Sequence, residues 1–229
     1  MDEKIQRKKI AIAIPIHNSV PAMCFANFVK MTSELAFKYF YTTLIVDSTN
    51  ISQARNLLVE AFLKTDADYL LFLDSDMVVS SQQVDALVSL DKDIASALCF
   101  SRGKNCIPAF RLMQNNEHFP VKNYPENALV EVSSVGMACC LIKRKVLEEL
   151  GKKIKSKILF DTKFKSVGMA LGEDVFFCDL ARKNNYKIFV HTGIIAQHFG
   201  GVIDEKYFES HKAEAVGNEV NWKKSDLIP

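Results

Sequence analysis

Two aspartates, Asp74 and Asp76, follow the apolar run Tyr69 to Leu73 and form the most chemically informative pattern in the chain. In an extended backbone, residues i and i+2 point to the same side, so both carboxylates are expected to face one point. Two such carboxylates repel each other, and a divalent cation removes that repulsion. Carboxylate oxygens suit Mg²⁺ or Mn²⁺, which commonly also hold substrate phosphates. Asp74-Ser75-Asp76 therefore predicts a metal site, although the pattern alone also fits a solvated loop.

A histidine late in the chain, His198, is a further candidate metal ligand. An imidazole in a shell of oxygen ligands shifts the preference from Mg²⁺ towards Mn²⁺. Gly200 and Gly201 follow it and would let the backbone approach a diphosphate closely. The alternative is a histidine in a glycine turn that makes an ordinary hydrogen bond.

An acidic pair, Glu173 and Asp174, begins a helix that is predicted to run to Asn184. The helix dipole favours carboxylates in the first turn and helps to keep them ionised. An ionised carboxylate beside a cleft can accept a proton from an attacking hydroxyl. Ordinary helix capping would produce the same pair, so the pattern by itself supports two interpretations.

Further polar residues follow the ends of the first two predicted strands, at His17-Asn18 and at Asp47. Ligands of parallel sheets bind beyond the carboxyl ends of the strands, so these residues are expected to share one rim with Asp74. Arg55 lies one turn into the helix after Asp47, where it could hydrogen-bond a phosphate, a ribose or a rim carboxylate. A surface arginine is the equal alternative.

The elements that must position these residues alternate between strand and helix over the first hundred residues. Apolar runs predict strands at 9–16, 43–46, 69–73 and 93–100, and helical periodicity predicts helices within 20–40 and at 52–64 and 80–90. Asn50 or Ser52 is a candidate cap of the second helix, and Ser80 with Gln83 has the spacing of a capping box. Continuous apolar strands between amphipathic helices predict a parallel sheet covered on both faces.

The second half is less regular, with strands predicted at 108–113, 129–134, 138–142 and 187–191 and helices at 143–150 and 173–184. A lysine-rich stretch at 152–165 predicts an exposed loop. No linker divides the chain, so one domain is expected. Its first half spans about 9–100, its second half about 101–204, and its tail 205–229.

Composition narrows the class of protein. The 229 residues carry 29 basic and 27 acidic side chains, and this near balance gives no electrostatic case for a nucleic-acid partner. The six cysteines form no C-x-x-C pair, which argues against a structural zinc site and for thiols in a reducing compartment. No stretch approaches the ~20 apolar residues that span a bilayer. We expect a cytoplasmic protein without a transmembrane segment, with a peripheral membrane contact left open.

The ordered set of motifs resembles the GT-A glycosyltransferases, especially the inverting group called family 2. The matching segments cover most of the chain and occur in the family's order: Ile14 to Asn18, Gln53 to Asn56, Asp68 to Asp76, Val135 to Ile142, Gly172 to Asp174 and Val190 to Gly200. Each segment is weak alone, and together they are specific. The sequence departs from the pattern at His17, where many relatives carry an aromatic residue.

The resemblance implies a Rossmann-like GT-A domain, a mostly parallel sheet flanked by helices, that binds a nucleotide diphosphate sugar, UDP- or GDP-linked. It implies that Asp76 and His198 bind Mn²⁺ or Mg²⁺ and that Asp74 binds the metal through water or holds the ribose. It further implies a carboxylate base, Asp174, supported by Glu173, that activates the hydroxyl of a glycan, glycoprotein or small-molecule acceptor with inversion. The residues expected at the donor nucleotide are Pro15, Ile16, His17, Asn18, Asp47, Arg55, Asp74 and Ser75.

Two other functions fit parts of the pattern. A sugar-phosphate nucleotidyltransferase shares a doubly wound sheet and a metal site, but it normally has a glycine-rich basic loop after the first strand. Here that loop, Ile16 to Pro21, contains neither glycine nor lysine. A non-catalytic nucleotide-sugar-binding module is the second alternative, and the retention of Asp76, Asp174 and His198 argues against it.

Overall fold

The computed structural model describes residues 7–101, 106–166, 169–199, 205, 208–209, 212 and 217–228, with side chains described throughout except at 163–166, 169–170 and 224. Strands and helices alternate in the first part of the chain: β1 (Lys9–Ile16), α1 (Ala22–Leu35), β2 (Phe40–Asp47), α2 (Ile51–Leu63), β3 (Tyr69–Leu73), β4 (Met77–Val78), α3 (Ser81–Ser89) and β5 (Ile94–Leu98).

Strands predominate in the remainder of the chain. These later elements are β6 (Phe110–Gln114), β7 (Glu117–Pro120), β8 (Leu129–Val132), β9 (Ser134–Val135), β10 (Cys139–Lys143), α4 (Arg144–Lys153), β11 (Lys163–Ser166), β12 (Met169–Leu171), α5 (Glu173–Lys183), β13 (Ile188–Ile195), β14 (Gln197–His198), a 3₁₀ turn (Lys224–Asp226) and β15 (Leu227–Ile228). The stretch 152–165, expected to be a loop, therefore also holds the end of α4 and the start of β11.

Eight strands form one central sheet in the order β15-β8-β13-β5-β10-β3-β1-β2. Parallel pairing joins β1 to β2, β1 to β3 and β5 to β13. β10 lies antiparallel between β3 and β5, and β8 lies antiparallel between β13 and β15. The α/β class expected from the sequence is confirmed. The sheet is mixed, because the second half of the chain inserts β10 and β8 against the direction of the other strands.

The two faces of the sheet bury separate apolar cores. On β3, Leu70 and Phe72 point into one core, whereas Leu71 and Leu73 point into the other. Helices α2, α4 and α5 cover the first face, and α1 and α3 cover the second. Asp74 continues the alternation of Leu70 and Phe72, so its side chain points towards α2 and α5.

The predicted helix starts are confirmed at two sites near the strand ends. The Asn50 side chain accepts a hydrogen bond from the backbone N–H of Gln53 and begins α2. Ser80 and Gln83 form a reciprocal capping box at the start of α3. These caps set where each helix begins, and the first of them places Arg55 about one turn into α2.

Within the described part of the chain, no helix combines the length and apolarity needed to cross a bilayer. All six cysteines are buried thiols in this structure. Burial raises the pKa of each thiol for which a shift is resolved, and it raises that of Cys139 to about 12 with a further contribution from the charge of Asp74. These thiols are therefore protonated at neutral pH.

Candidate functional site

The carboxyl ends of β1 and β2 are joined at one rim of the sheet. Ile16 pairs in register with Asp47, and the Ser48 N–H donates to the Ile16 carbonyl at 3.0 Å. Beyond the strand, the Asn18 N–H donates to Asp47 Oδ1 at 3.2 Å. Asn18 has a φ of 65°, a left-handed conformation that asparagine tolerates better than most residues. The sequence therefore places an asparagine where the chain turns to meet Asp47.

The residues of the opening motif, Ile14 to Asn18, differ in what they offer a ligand at this rim. Pro15 is buried within β1, so it fixes the backbone and offers no side-chain chemistry to solvent. His17 and Asn18 are exposed, and their side chains lie within hydrogen-bond distance, Nε2 to Nδ2, at 3.3 Å. His17, Asn18 and Asp47 are thus the groups of the first two strand ends that a ligand can reach.

A buried arginine joins three elements at the same rim. Arg55 of α2 donates from Nη2 to Asp74 Oδ1 at 3.0 Å and from Nε to Glu173 Oε1 at 3.1 Å. Its side chain is 3% exposed and stacks over the Phe72 ring at 5.2 Å. The surface alternative for Arg55 is therefore wrong, and its partners are the rim carboxylates.

The two carboxylates hold Arg55 in its charged form. Burial acts to lower its pKa, but Asp74 and Glu173 outweigh burial and the pKa is raised. Arg55 Nη1 is buried and makes no hydrogen bond with any described group. Removing one member of a buried ion pair commonly costs about 3–5 kcal/mol, since it leaves a charge without compensation. The arginine thus fixes the relative position of β3, α2 and α5.

The Asp-Ser-Asp segment does not continue the extended strand that the sequence predicts. Ser75 and Asp76 form a turn, and the Met77 N–H donates back to the Asp74 carbonyl at 3.1 Å. The premise that Asp74 and Asp76 face one point because of extended backbone is therefore wrong. Asp74 pairs with Arg55. Asp76 instead acts on α1: burial raises the pKa of the Cys24 thiol, and the charge of Asp76 raises it further.

The turn brings Asp76 next to the segment that carries His198. β4 and β14 pair antiparallel with His198 opposite Met77, and the Phe199 N–H donates to the Asp76 carbonyl at 2.7 Å. On the other side, Asn27 of α1 accepts a hydrogen bond from the Val79 N–H at 2.9 Å. Residues more than a hundred positions apart are thus held together by backbone hydrogen bonds.

Of the three metal ligands expected from the sequence, Asp76 and His198 lie on segments that paired backbone holds together. Among the described residues, no group of three or more histidine, cysteine or acidic side chains is placed to hold a metal. Mg²⁺ and Mn²⁺ sites commonly use only one or two carboxylates and complete their shell with water and substrate phosphates. Gly200 and Gly201, expected to approach the diphosphate, lie outside the described residues.

Asp174 differs from its neighbour Glu173 although both begin α5. Asp174 Oδ1 accepts from the Val175 N–H at 2.7 Å, and its pKa is raised by burial and by the charge of Glu173. The helix-dipole argument had predicted stabilisation of the ionised form, and burial outweighs it here. A carboxylate with a raised pKa is a stronger base than an ordinary aspartate.

The glycine before the acidic pair is required by the position of Asp174. A Cβ added at Gly172 would lie 2.7 Å from Asp174 Oδ1, closer than side-chain atoms tolerate. Its φ of −62° is ordinary, so the requirement is for space and not for backbone freedom. Gly172 therefore lets the Asp174 carboxylate fold back over the start of the helix.

Arg111, on β6, is a site residue that the sequence did not indicate. The pKa of Asp174 is raised overall, and the positive charge of Arg111 opposes part of that rise. The guanidinium therefore lies near the candidate base. Arg111 is exposed, so a ligand can contact its side chain. An isolated arginine in a short strand carries no recognisable pattern, and only the folding of β6 towards α5 reveals it.

Comparison with known proteins adds information about the fold alone. No family model matches the chain, and no curated protein matches it. Among solved structures, 222 chains match. The crystal structure of A197 from STIV is similar at 22% identity and a TM-score of 0.55, over 84% of this chain and 86% of that one. At this identity the match supports a shared fold, and function must be argued from the site.

Proposed function

We propose that this chain is a GT-A-type glycosyltransferase, which moves a sugar from a UDP- or GDP-linked donor to an acceptor hydroxyl in a metal-dependent reaction. A cytoplasmic setting belongs to the same proposal, since six buried thiols suit a reducing compartment.

One observation carries the proposal: four segments far apart in sequence meet around Asp74 and Asp76. Arg55 links Asp74 to Glu173, and the Phe199 N–H links the Asp76 carbonyl to the strand of His198. The carboxylates, the strand of His198 and a candidate base thereby lie near the carboxyl ends of the strands, where α/β folds bind ligands. Each of these segments belongs to the resemblance with GT-A enzymes.

Asp76 and His198 are the residues that would hold Mn²⁺ or Mg²⁺. When bound, the cation would neutralise charge that develops on the departing diphosphate. Asp74 is held by Arg55 and therefore acts as a positioning group or a ribose acceptor, not as a direct ligand. Ser75, in the turn between the two aspartates, would hydrogen-bond the phosphates.

Asp174 is the residue that would move the proton. Its carboxylate takes the proton of the acceptor hydroxyl while the hydroxyl oxygen forms a bond to the anomeric carbon. The bond from that carbon to the diphosphate oxygen breaks, and its electron pair leaves with the nucleoside diphosphate. Attack from the face opposite the leaving group inverts the configuration. Glu173, fixed by Arg55, holds the start of α5 in place for this step.

The residues at the ends of β1 and β2 would receive the nucleoside. Asp47 already accepts the Asn18 N–H with Oδ1, and a carboxylate in this position can accept hydrogen bonds from ribose or base. His17 offers a ring face and a nitrogen in place of the aromatic residue of many GT-A relatives. Pro15 and Ile16 form the end of β1, directly before His17 and Asn18.

A thermal-unfolding screen with UDP- and GDP-sugars, with and without Mn²⁺, tests the proposal. A ligand at about 100 times its Kd stabilises the folded state by about 2.7 kcal/mol, which corresponds to a rise in Tm of about 5–10 °C at this chain length. We expect such a rise for one donor class, only with Mn²⁺, and its loss in Asp76→Asn. Asp66→Asn, at an exposed ion pair with Lys9, is the matched control and should keep it.

The same preparation separates the two alternatives. Release of pyrophosphate from a nucleoside triphosphate and a sugar 1-phosphate would contradict the proposal and identify a nucleotidyltransferase. Donor binding without release of nucleoside diphosphate, with or without an acceptor, would also contradict it and indicate a binding module.

A further inference from the structure

A cavity of about 730 Å³ lies away from the rim of Asp74 and Asp76. Its walls come from the β6–β7 hairpin, from β8, from the last turn of α5 and from the C-terminal segment 217–228. This volume falls within the roughly 300–1,000 Å³ that small-molecule sites occupy. The proposed chemistry at Asp174 does not use it.

The outer wall of the cavity is held in place by hydrogen bonds. Asn123 and Val220 bond to each other twice, from the Val220 N–H to Oδ1 at 2.7 Å and from Nδ2 to the Val220 carbonyl at 2.6 Å. The Trp222 Nε1–H donates to the Asn123 carbonyl at 3.2 Å, and β15 pairs with β8. Trp222 is therefore presented to the cavity in a fixed orientation.

The lining combines apolar surfaces with a polar border. Leu112, Phe119 and Trp222 contribute apolar surface, whereas Gln114 and Asn221 contribute amides. Amides donate and accept hydrogen bonds at once, as neighbouring hydroxyl groups require. Aromatic side chains supply a flat apolar face beside polar partners. A sugar ring has the matching character, with C–H groups on its face and hydroxyls around its edge.

The charges of the lining disfavour an anionic ligand. Three acids line the cavity, Glu131, Glu219 and Asp226, against one base, Arg182. The Arg182 Nη1 lies 3.6 Å from Asp179, and Glu131 is paired with Lys187 at 2.8 Å, so Glu219 and Asp226 leave the lining acidic. A phosphorylated ligand would therefore meet net negative charge, which separates this cavity from a nucleotide site.

The cavity and the candidate base lie on either side of Arg111. Ser133, in the lining, donates from its N–H and from Oγ to the Arg111 carbonyl, both at 2.9 Å. The charge of the Arg111 side chain acts on Asp174. Along α5, Asp174 and Arg182 are eight residues apart, or about 12 Å at the rise of an α-helix. A ligand of two or three sugar rings is long enough to span this distance.

We propose that this cavity binds a neutral saccharide, the part of the acceptor beyond the hydroxyl that Asp174 deprotonates. The acceptor role rests on the proposed glycosyltransferase function, whereas saccharide binding by the cavity does not. The acceptor would then be an oligosaccharide or a glycan chain, and a single sugar would be a poor substitute.

Trp222 gives a direct test, because it is the only tryptophan in the chain. Tryptophan emission is titrated with neutral gluco-, manno- and chito-oligosaccharides of two to four rings, without donor or metal. We expect a saturable change for at least one series, stronger for oligomers than for the monosaccharide. The double variant Gln114→Ala/Asn221→Ala should raise the Kd at least tenfold. Gln82→Ala, at an exposed position on α3, should leave it unchanged.

Three results would overturn the proposal: no change in emission with any series up to millimolar concentration, an equal Kd in the double variant, or tighter binding of glucose 6-phosphate than of the neutral sugars. The donor screen with Mn²⁺ is independent of this titration, so the two failures are distinguishable. If the protein binds a saccharide but fails the donor screen, the cavity remains a saccharide site and its acceptor role is contradicted.

Discussion

The two sides of the candidate site are held together by different interactions. On the side of α2 and α5, the side chains of Arg55, Asp74 and Glu173 form a buried set of ion pairs. On the side of α1 and β14, uncharged hydrogen bonds hold the segment after Asp74: the Phe199 N–H donates to the Asp76 carbonyl, and the Val79 N–H donates to the Asn27 side chain. The first side should respond to changes in charge. The second should depend less on the charges of its side chains.

The largest expected effect on stability comes from removing Arg55, the shared partner of the ion pairs. Arg55→Ala leaves Asp74 and Glu173 without their shared cation and should lower the free energy of unfolding by about 3–5 kcal/mol. Urea denaturation measures this loss. Arg7→Ala, at an exposed arginine that contacts the Ala36 carbonyl and the Phe40 ring, should cost no more than about 0.5–1 kcal/mol. A loss below about 1 kcal/mol in Arg55→Ala would contradict the structural role given to the ion pairs.

The same substitution at two nearby positions sharpens the comparison. Asp74→Asn weakens a charged hydrogen bond to a buried arginine and should cost about 1.5–3 kcal/mol in unfolding free energy. Asp76→Asn leaves the backbone hydrogen bonds of the turn intact and should cost less than Asp74→Asn. Denaturation of both variants without metal gives the two values. Equal losses would mean that the two sides are not held differently.

A pair of glycine substitutions tests the space that Asp174 needs. In Gly172→Ala the new Cβ displaces the Asp174 carboxylate, and a displacement of about 1 Å can lower turnover about 100-fold. Gly151→Ala in α4 meets no atom within 4 Å and should raise stability by about 0.5–1 kcal/mol. Turnover and denaturation are measured for both variants. Full turnover in Gly172→Ala would show that the carboxylate position is unimportant.

The smallest expected effect concerns stability against pH. Because the pKa of Asp174 is raised on folding, its favourable contribution is present at low pH and is lost as pH rises through the folded pKa. Asp174→Asn should therefore be more stable relative to the wild type at neutral pH than at acid pH, while its turnover falls. Glu173→Gln should instead lose stability at neutral pH, since it weakens an ion pair with Arg55. A pH-independent difference between wild type and Asp174→Asn would contradict the raised pKa.

The elements near the first three strands follow from local patterns in the sequence. Asn50, Ser80 and Gln83 cap their helices as predicted, because capping depends on a few neighbouring residues. The turn at Ser75 and Asp76 was not predicted, since it depends on pairing with β14, more than a hundred residues away. Arg111 was missed for the same reason. Features that depend on long-range strand pairing therefore could not be predicted from hydrophobic periodicity and residue spacing.

The most direct test of the central claim measures Mn²⁺ binding by electron paramagnetic resonance in the presence of UDP or GDP. We predict that the wild-type protein removes the signal of free Mn²⁺ only when the nucleoside diphosphate is present. Asp76→Asn and His198→Gln should each weaken this binding at least about tenfold, and Asp66→Asn should not. Binding that is independent of both residues, or no binding with either nucleotide, would contradict a metal-dependent glycosyltransferase.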